Sequence, residues 1–193
     1  MRKRRLYVFI ISISSLFFCF NANAASFEKY ASKLLFFEGK GFGIHQPIWG
    51  EKEFSKAEAL NIHRKHYWDR YHGDLFKSQE VAEVFIDHII NAGQGASAIN
   101  IKAFEAIIGV EQDGVLSLED VKRANSFHFA EQIVNPYVKY RVLYYKTRSG
   151  ATENPGWFTR ATSFIMKNAY GTVALKDVNL PDSIERKFRH IKL

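Results

Sequence analysis

The stretch SQEVAEVFIDHIINAG, residues 78–93, reads as one complete helix. Ser78 suits the cap at its start and Gly93 the stop at its end. Between them Val81, Phe85, Ile89 and Ile90 recur at the spacing of one helical face. The same punctuation repeats on both sides. Upstream, Ser26 precedes Phe27, Tyr30, Ala31, Leu34 and Leu35, with Gly39 as the stop. Ser55 with Glu58 forms a capping-box pattern that opens a helix through about Tyr71. Downstream, a helix from about Ala96 to Ile108 ends before Gly109. The Asp113-Gly114 turn follows, and Ser117 with Asp120 opens another helix. From Phe127 to Tyr145 the pattern is helical and aromatic, with a kink or a junction of two helices expected at Asn135-Pro136. Asn154 and Pro155 open a last firm helix containing Trp157 and Phe164. Strand content is expected to be small, at most a short hairpin after Glu38. The fold class is all-α.

The amino terminus has another character. Arg2, Lys3, Arg4 and Arg5 precede an apolar run from Leu6 to Phe20, and Ala22-Asn23-Ala24 follows. A charged start, an apolar centre and a small-x-small exit are the parts of a secretory signal. A membrane span needs about 20 residues, so a cleaved signal is favoured over a retained anchor. Cleavage near Ala24 would leave no cysteine, so packing and not disulfides must hold the domain. It would also remove four of 27 basic residues, leaving 23 against 20 acidic ones, a net charge of +3. The whole-chain basicity is thus partly a targeting signal, and nucleic acid is not the expected partner. The expected location is periplasmic or secreted.

Glu38 stands where the first helix ends, directly before Gly39-Lys40-Gly41-Phe42-Gly43. The negative end of a helix disfavours a further negative charge, and Phe36, Phe37 and Phe42 would add desolvation. Both influences push a carboxyl towards its protonated form, the form in which a glycosidase protonates a leaving oxygen. Glycines let backbone approach a bulky ligand. The alternative is an exposed glutamate before an ordinary helix stop.

Glu38-Gly39-Lys40-Gly41, Gly43-Ile44, Tyr67-Trp68, Asp87 with Asn91, Asp113-Gly114 and Gly156-Trp157-x-x-Arg160 occur in that order. Together they resemble the glycoside hydrolase family 108 muramidases with their C-terminal peptidoglycan-binding region. The resemblance implies a lysozyme-like helical fold and cleavage of glycan strands between N-acetylmuramic acid and N-acetylglucosamine. It implies that Glu38 is the catalytic acid. It divides the chain into a catalytic region, 25–109, a helical peptidoglycan-binding region, 110–170, and an irregular tail, 171–193, where Pro181 argues against one continuous helix. One departure stands out. The Asp-x-Gly-Gly stretch and Thr that the family places before its Gly-Ile pair are missing, because Gly41 and Gly43-Ile44 are almost adjacent. His45, Gln46, Glu51 and Glu53 are placed to replace the lost group, and His45 also reads as a surface loop residue.

Around Glu38 the substrate-binding candidates are Gly41, His45, Trp49, Asp87, Asn91, Gln94, Tyr144 and Tyr145. Asp87 and Asn91 share a helical face, where they either hold sugar hydroxyls or a water, or pair with each other. Tyr137, Tyr140 and Tyr144 follow core spacing, which leaves Tyr144 or Tyr145 as the better groove candidates. Trp68 and Trp157 read as core anchors, and Trp49 as a sugar platform. His63 and His66 read as a solvated helix face. No metal or cofactor is expected, and no serine or cysteine nucleophile motif is present. A lytic transglycosylase using the same glutamate, and a non-catalytic wall-binding or secretion-assembly module, are the competing readings.

Overall fold

The computed structural model describes residues 24–44, 53–168, 171 and 173–193, with the backbone alone at Gln94. All but the end of the expected export signal, and His45, Gln46, Trp49 and Glu51, lie outside the described residues. The fold is all-α. Its helices are α1, Phe27–Glu38; α2, Lys56–His63; α3, Gln79–Ala92; α4, Ser97–Ile108; α5, Leu118–Ala124; α6, Glu131–Lys146; α7, Pro155–Thr162; and α8, Asp182–Phe188. The expected serines cap them: Ser26 accepts from Lys29 N–H, Ser78 from Val81 N–H, and Ser55–Glu58 and Ser117–Asp120 form reciprocal capping boxes.

The helix of residues 78–93 is the centre of the molecule. Every residue from Val81 to Ile89 on α3 is buried, so the sequence stripe was one side of a helix covered all round. Helix α6 packs across it, and α4 and α7 pack on α6, while α1 lies against α3. One hydrophobic core runs from Ala25 to Phe188. Its aromatic seam includes Tyr30 stacked on Trp68, and Phe85 against Phe104 with ring centres 4.6 Å apart.

Two expectations are corrected. Of the two alternatives at Asn135-Pro136, the junction of two helices is ruled out, because α6 is one element with Pro136 inside it. A proline in a helix interior forfeits a hydrogen bond, costing ~3 kcal/mol. Here Asn135, next to it, is clasped on both sides by Met166, accepting from its N–H at 2.9 Å and donating to its carbonyl at 3.0 Å. Burial of most of the helix supplies the remaining compensation. The segment 171–193 is also not wholly irregular, for it carries α8, which starts directly after Pro181. The short hairpin expected after Glu38 falls largely on residues outside the described ones; the described residues 39–44 turn tightly instead. Phe42 N–H bonds to Gly39 C=O and Ile44 N–H to Gly41 C=O, making two successive tight turns. Extended pairing among the described residues is confined to one bridge, Asn168 with Gly171.

Candidate active site

Glu38 closes α1, and Gly39 caps the helix by donating its N–H to Leu35 C=O. The chain then reverses through the two tight turns, so Gly43 returns onto the Glu38 side chain. A methyl group at Gly43 would stand 2.0 Å from Glu38 Oε2, and the residue has φ +69°. Only glycine satisfies both conditions. Phe42 is held at φ 55°, an uncommon conformation for a bulky residue. Its carbonyl lies 2.8 Å from His63 Nε2. A carbonyl can only accept, so Nε2 carries the proton. His63 is buried at 1 % exposure, which corrects its reading as a solvated face, and burial lowers its pKa. The neutral imidazole therefore pins the turn that packs on Glu38.

The other oxygen of Glu38 faces the protein. Glu38 Oε1 accepts from Arg160 Nη2 at 2.8 Å. Arg160, on α7, is in turn fixed on Asp87 of α3. Its Nε lies 3.2 and 3.0 Å from the two Asp87 oxygens, and its Nη2 2.9 Å from Oδ1. Arg141 of α6 donates to Asp87 Oδ2 at 2.8 Å, and Tyr30 of α1 donates to Oδ1 at 2.6 Å. Acidic and basic side chains thus alternate as Glu38, Arg160, Asp87 and Arg141. Burial pushes the Asp87 carboxyl up, but Arg160 and Arg141 overcome it and hold it below the usual range. The same burial, with the negative charge of Asp87, lifts the Tyr30 hydroxyl well above its ordinary value, so it stays a donor. Asp87 is fully buried with its oxygens occupied, so it does not face the groove as a sugar ligand. It braces a residue that does.

A second arm leaves the same centre. Arg141 Nη2 lies 3.4 Å from Tyr145 Oη, which donates to Asn91 Oδ1 at 2.5 Å. With its oxygen engaged, Asn91 presents Nδ2 as the donor. Tyr144 and Tyr145 are both buried, so neither offers a face to a sugar. They surround His88 with Tyr137 and Tyr140, and burial keeps that imidazole far below its ordinary pKa.

These groups meet in a groove of about 490 Å³ lined by Phe36, Phe37, Glu38, Asn91, Gly156, Trp157, Thr159 and Arg160. Phe36 is 81 % exposed there, an aromatic face open to a ligand. Trp157, expected in the core, is half-buried and forms part of the wall, tilted on Tyr145 at 5.5 Å. Gly41 stands exposed, with open space where a side chain would be. Structure therefore unites Glu38, Asn91 and, through Arg160, Asp87; the backbone of Gln94 follows α3 in a short turn. Phe36, Thr159 and the positions of Trp157 and Arg160 in the wall escaped sequence reasoning. A second cavity of about 500 Å³ lies between α6 and α8, and Glu185 is the single side-chain carboxylate in its lining. Among the described residues no group of three or more His, Cys, Asp or Glu could hold a metal, and no helix is long and apolar enough to cross a membrane.

Residues 38–93 match the sequence model of the family described as Glycosyl hydrolase 108, a match that begins at Glu38 and ends at the glycine closing α3. Among solved structures, the structure of Brucella abortus SagA is similar in fold. It shares 24 % identity and a TM-score of 0.58 over 72 % of this chain and 90 % of that one. None of the curated proteins matches the chain.

Proposed function

We propose that the protein is a glycoside hydrolase of the peptidoglycan strand, working outside the cytoplasm, with Glu38 as its general acid. The observation that carries this reading is the placing of Glu38. It is the carboxylate of a groove that also holds an open aromatic face and an amide donor, and the family match begins at that residue. Glu38 Oε1 is taken by Arg160, so Oε2 is the oxygen that delivers a proton to the glycosidic bond between N-acetylmuramic acid and N-acetylglucosamine. Phe36 stacks on a sugar ring, Asn91 Nδ2 holds a sugar oxygen or the attacking water, and Gly41 lets the strand approach the backbone. The region 110–170 contributes wall contacts, and through Arg160 and Trp157 it also completes the groove.

Glu38→Gln tests the assignment. The variant should fold and lose clearing of purified peptidoglycan; full activity in it would refute the role of Glu38. A second reading has one observation in its favour. Among the described residues lining the groove, Glu38 is the single carboxylate. A lytic transglycosylase needs one, because the sugar's own hydroxyl replaces water as nucleophile, whereas an inverting hydrolase uses two. Mass spectrometry of the released fragments separates them: anhydro ends mark the transglycosylase and reducing ends the hydrolase. Binding of sacculi without any release would mark a wall-binding module.

A further inference from the structure

The interior carboxylate of Asp87 and the groove carboxylate of Glu38 share one guanidinium, and that shared group has a consequence for turnover. We infer that Arg160 is the positioning residue of the site, aligning Glu38 because Asp87 and Arg141 hold it still. This rests on the reading of Glu38 as the acid. An arginine on its own has four rotatable side-chain bonds and would carry Glu38 with it wherever it moved. Here Nε and Nη2 are both engaged by Asp87, which fixes the plane of the guanidinium. Asp87 cannot move in response, since Arg141 and Tyr30 occupy its oxygens from the other side. Phe37 lies against the guanidinium, 4.9 Å from its carbon, and closes that face. The one direction left to Nη2 is towards Glu38 Oε1, and it is used. On the far side of the carboxylate, Gly43 allows no further space. Glu38 is therefore gripped between a fixed donor at Oε1 and the backbone of Gly43 against Oε2.

Lysine cannot take this role. Its ammonium is a point donor without a planar fork, so it cannot hold Asp87 through two nitrogens while reaching Glu38. A misplacement of a reacting group by 1 Å costs about 100-fold in rate. Arg160→Lys should therefore lower kcat on peptidoglycan about 100-fold, while pelleting with purified sacculi stays within about 2-fold of wild type. Arg160→Ala should lose as much, and guanidinium chloride at non-denaturing concentration should restore part of its activity, since the added ion can occupy the vacated place between two carboxylates. Wild-type kcat in a folded Arg160→Lys protein would overturn the inference, as would loss of sacculus binding in step with activity, or failure of guanidinium to restore any turnover to a folded Arg160→Ala protein. If neither variant folds, nitrogen-15 spectra of the wild-type protein decide. Locked guanidiniums at Arg141 and Arg160 give separate signals for their terminal nitrogens, and averaged signals at Arg160 would overturn the proposal. Glu38→Gln assayed alongside distinguishes the two failures. An inactive Glu38→Gln beside an active Arg160→Lys removes the positioning role alone, and an active Glu38→Gln removes the functional reading beneath it.

Discussion

Gly43→Ala places a methyl group where the structure has room for none, and the cost divides into two parts that separate experiments can read. The added Cβ would lie 2.0 Å from Glu38 Oε2 and 2.5 Å from its carboxyl carbon. Ordinary van der Waals contact for a Cβ begins at about 3.4 Å, so the carboxylate must retreat by about 1 Å or more. Arg160 blocks retreat on one side, which forces the turn or the carboxylate out of place. The backbone adds its own strain: φ +69° costs a residue with a Cβ roughly 1–2 kcal/mol. Stability should fall by that amount, or about 2–8 °C in Tm for a chain of this size. Activity should fall much further, about 100-fold, because the reacting group has moved by about 1 Å. Gly109→Ala is the control. It sits at φ +74°, in the same left-handed region, at the end of α4, where the nearest atom to an added Cβ is Arg123 Nη2 at 3.8 Å. It should lose similar stability and keep its activity. Thermal unfolding and turbidity loss of purified peptidoglycan measure the two quantities. A folded Gly43→Ala protein with wild-type clearance would refute the reasoning, because Glu38 would then not need the position in which the turn holds it.

Two further outcomes follow from the same geometry. Tyr145→Phe keeps the ring against Trp157 and removes the hydroxyl that fixes Asn91, so it should cost about 1 kcal/mol of stability and raise KM on peptidoglycan; denaturant unfolding and steady-state kinetics check this, and an unchanged KM would deny Asn91 a substrate role. Glu105, buried on α4 and bonded to the Gly114 N–H, is pushed up from 4.5 to about 7, chiefly by burial. The folded state therefore holds its proton more tightly than the unfolded one, so its contribution to stability is complete below pH 4.5 and is lost as pH rises through about 7. Chemical unfolding from pH 5 to 8 should show wild-type stability falling relative to that of Glu105→Gln as pH rises; a constant difference between the two curves would exclude Glu105 as the source.

The sequence was informative where structure is local. Each serine read as a cap makes its bond within three residues, to a partner that lies in the same short string. The glycine stops behave likewise, because a backbone conformation is a property of one residue. The site is another matter. Glu38 and Arg160 are separated by 122 positions and Asp87 and Arg160 by 73, distances over which periodicity carries no message. A signal was nonetheless present at both buried charges. Asp87 interrupts Val84, Phe85, Ile86, Ile89 and Ile90, and Arg141 stands among Tyr140, Val142 and Leu143. Such residues must be paired if they are interior, and opposite signs on two central helices were candidates for each other. Reading Asp87 as a groove ligand failed because its helix was taken to have an open side. Tyr144 and Tyr145 failed the same way: spacing shows which residues share a face, not whether a second helix covers it.

The buried charges also bear on what the centre of the molecule is for. An ion pair with no exposure contributes little net stability, and apolar replacements of similar volume are often more stable by 1–4 kcal/mol. Asp87 and Arg141 are both at 0 % side-chain exposure, and Arg141 Nε has no hydrogen-bond partner among the described residues, a further cost. If stability were the purpose, leucine and methionine would serve α3 and α6 better. What apolar side chains cannot do is fix direction. Asp87 accepts from three residues on three helices, α1, α6 and α7, and so makes their mutual orientation depend on one rigid group. Two of those helices, α1 and α7, bear the groove residues Glu38 and Arg160, and the third, α6, reaches Asn91 through Tyr145. The acid and the amide donor are thus referred to the same buried carboxylate from opposite sides. Their relative position is set from inside the core, by residues that a sugar never touches.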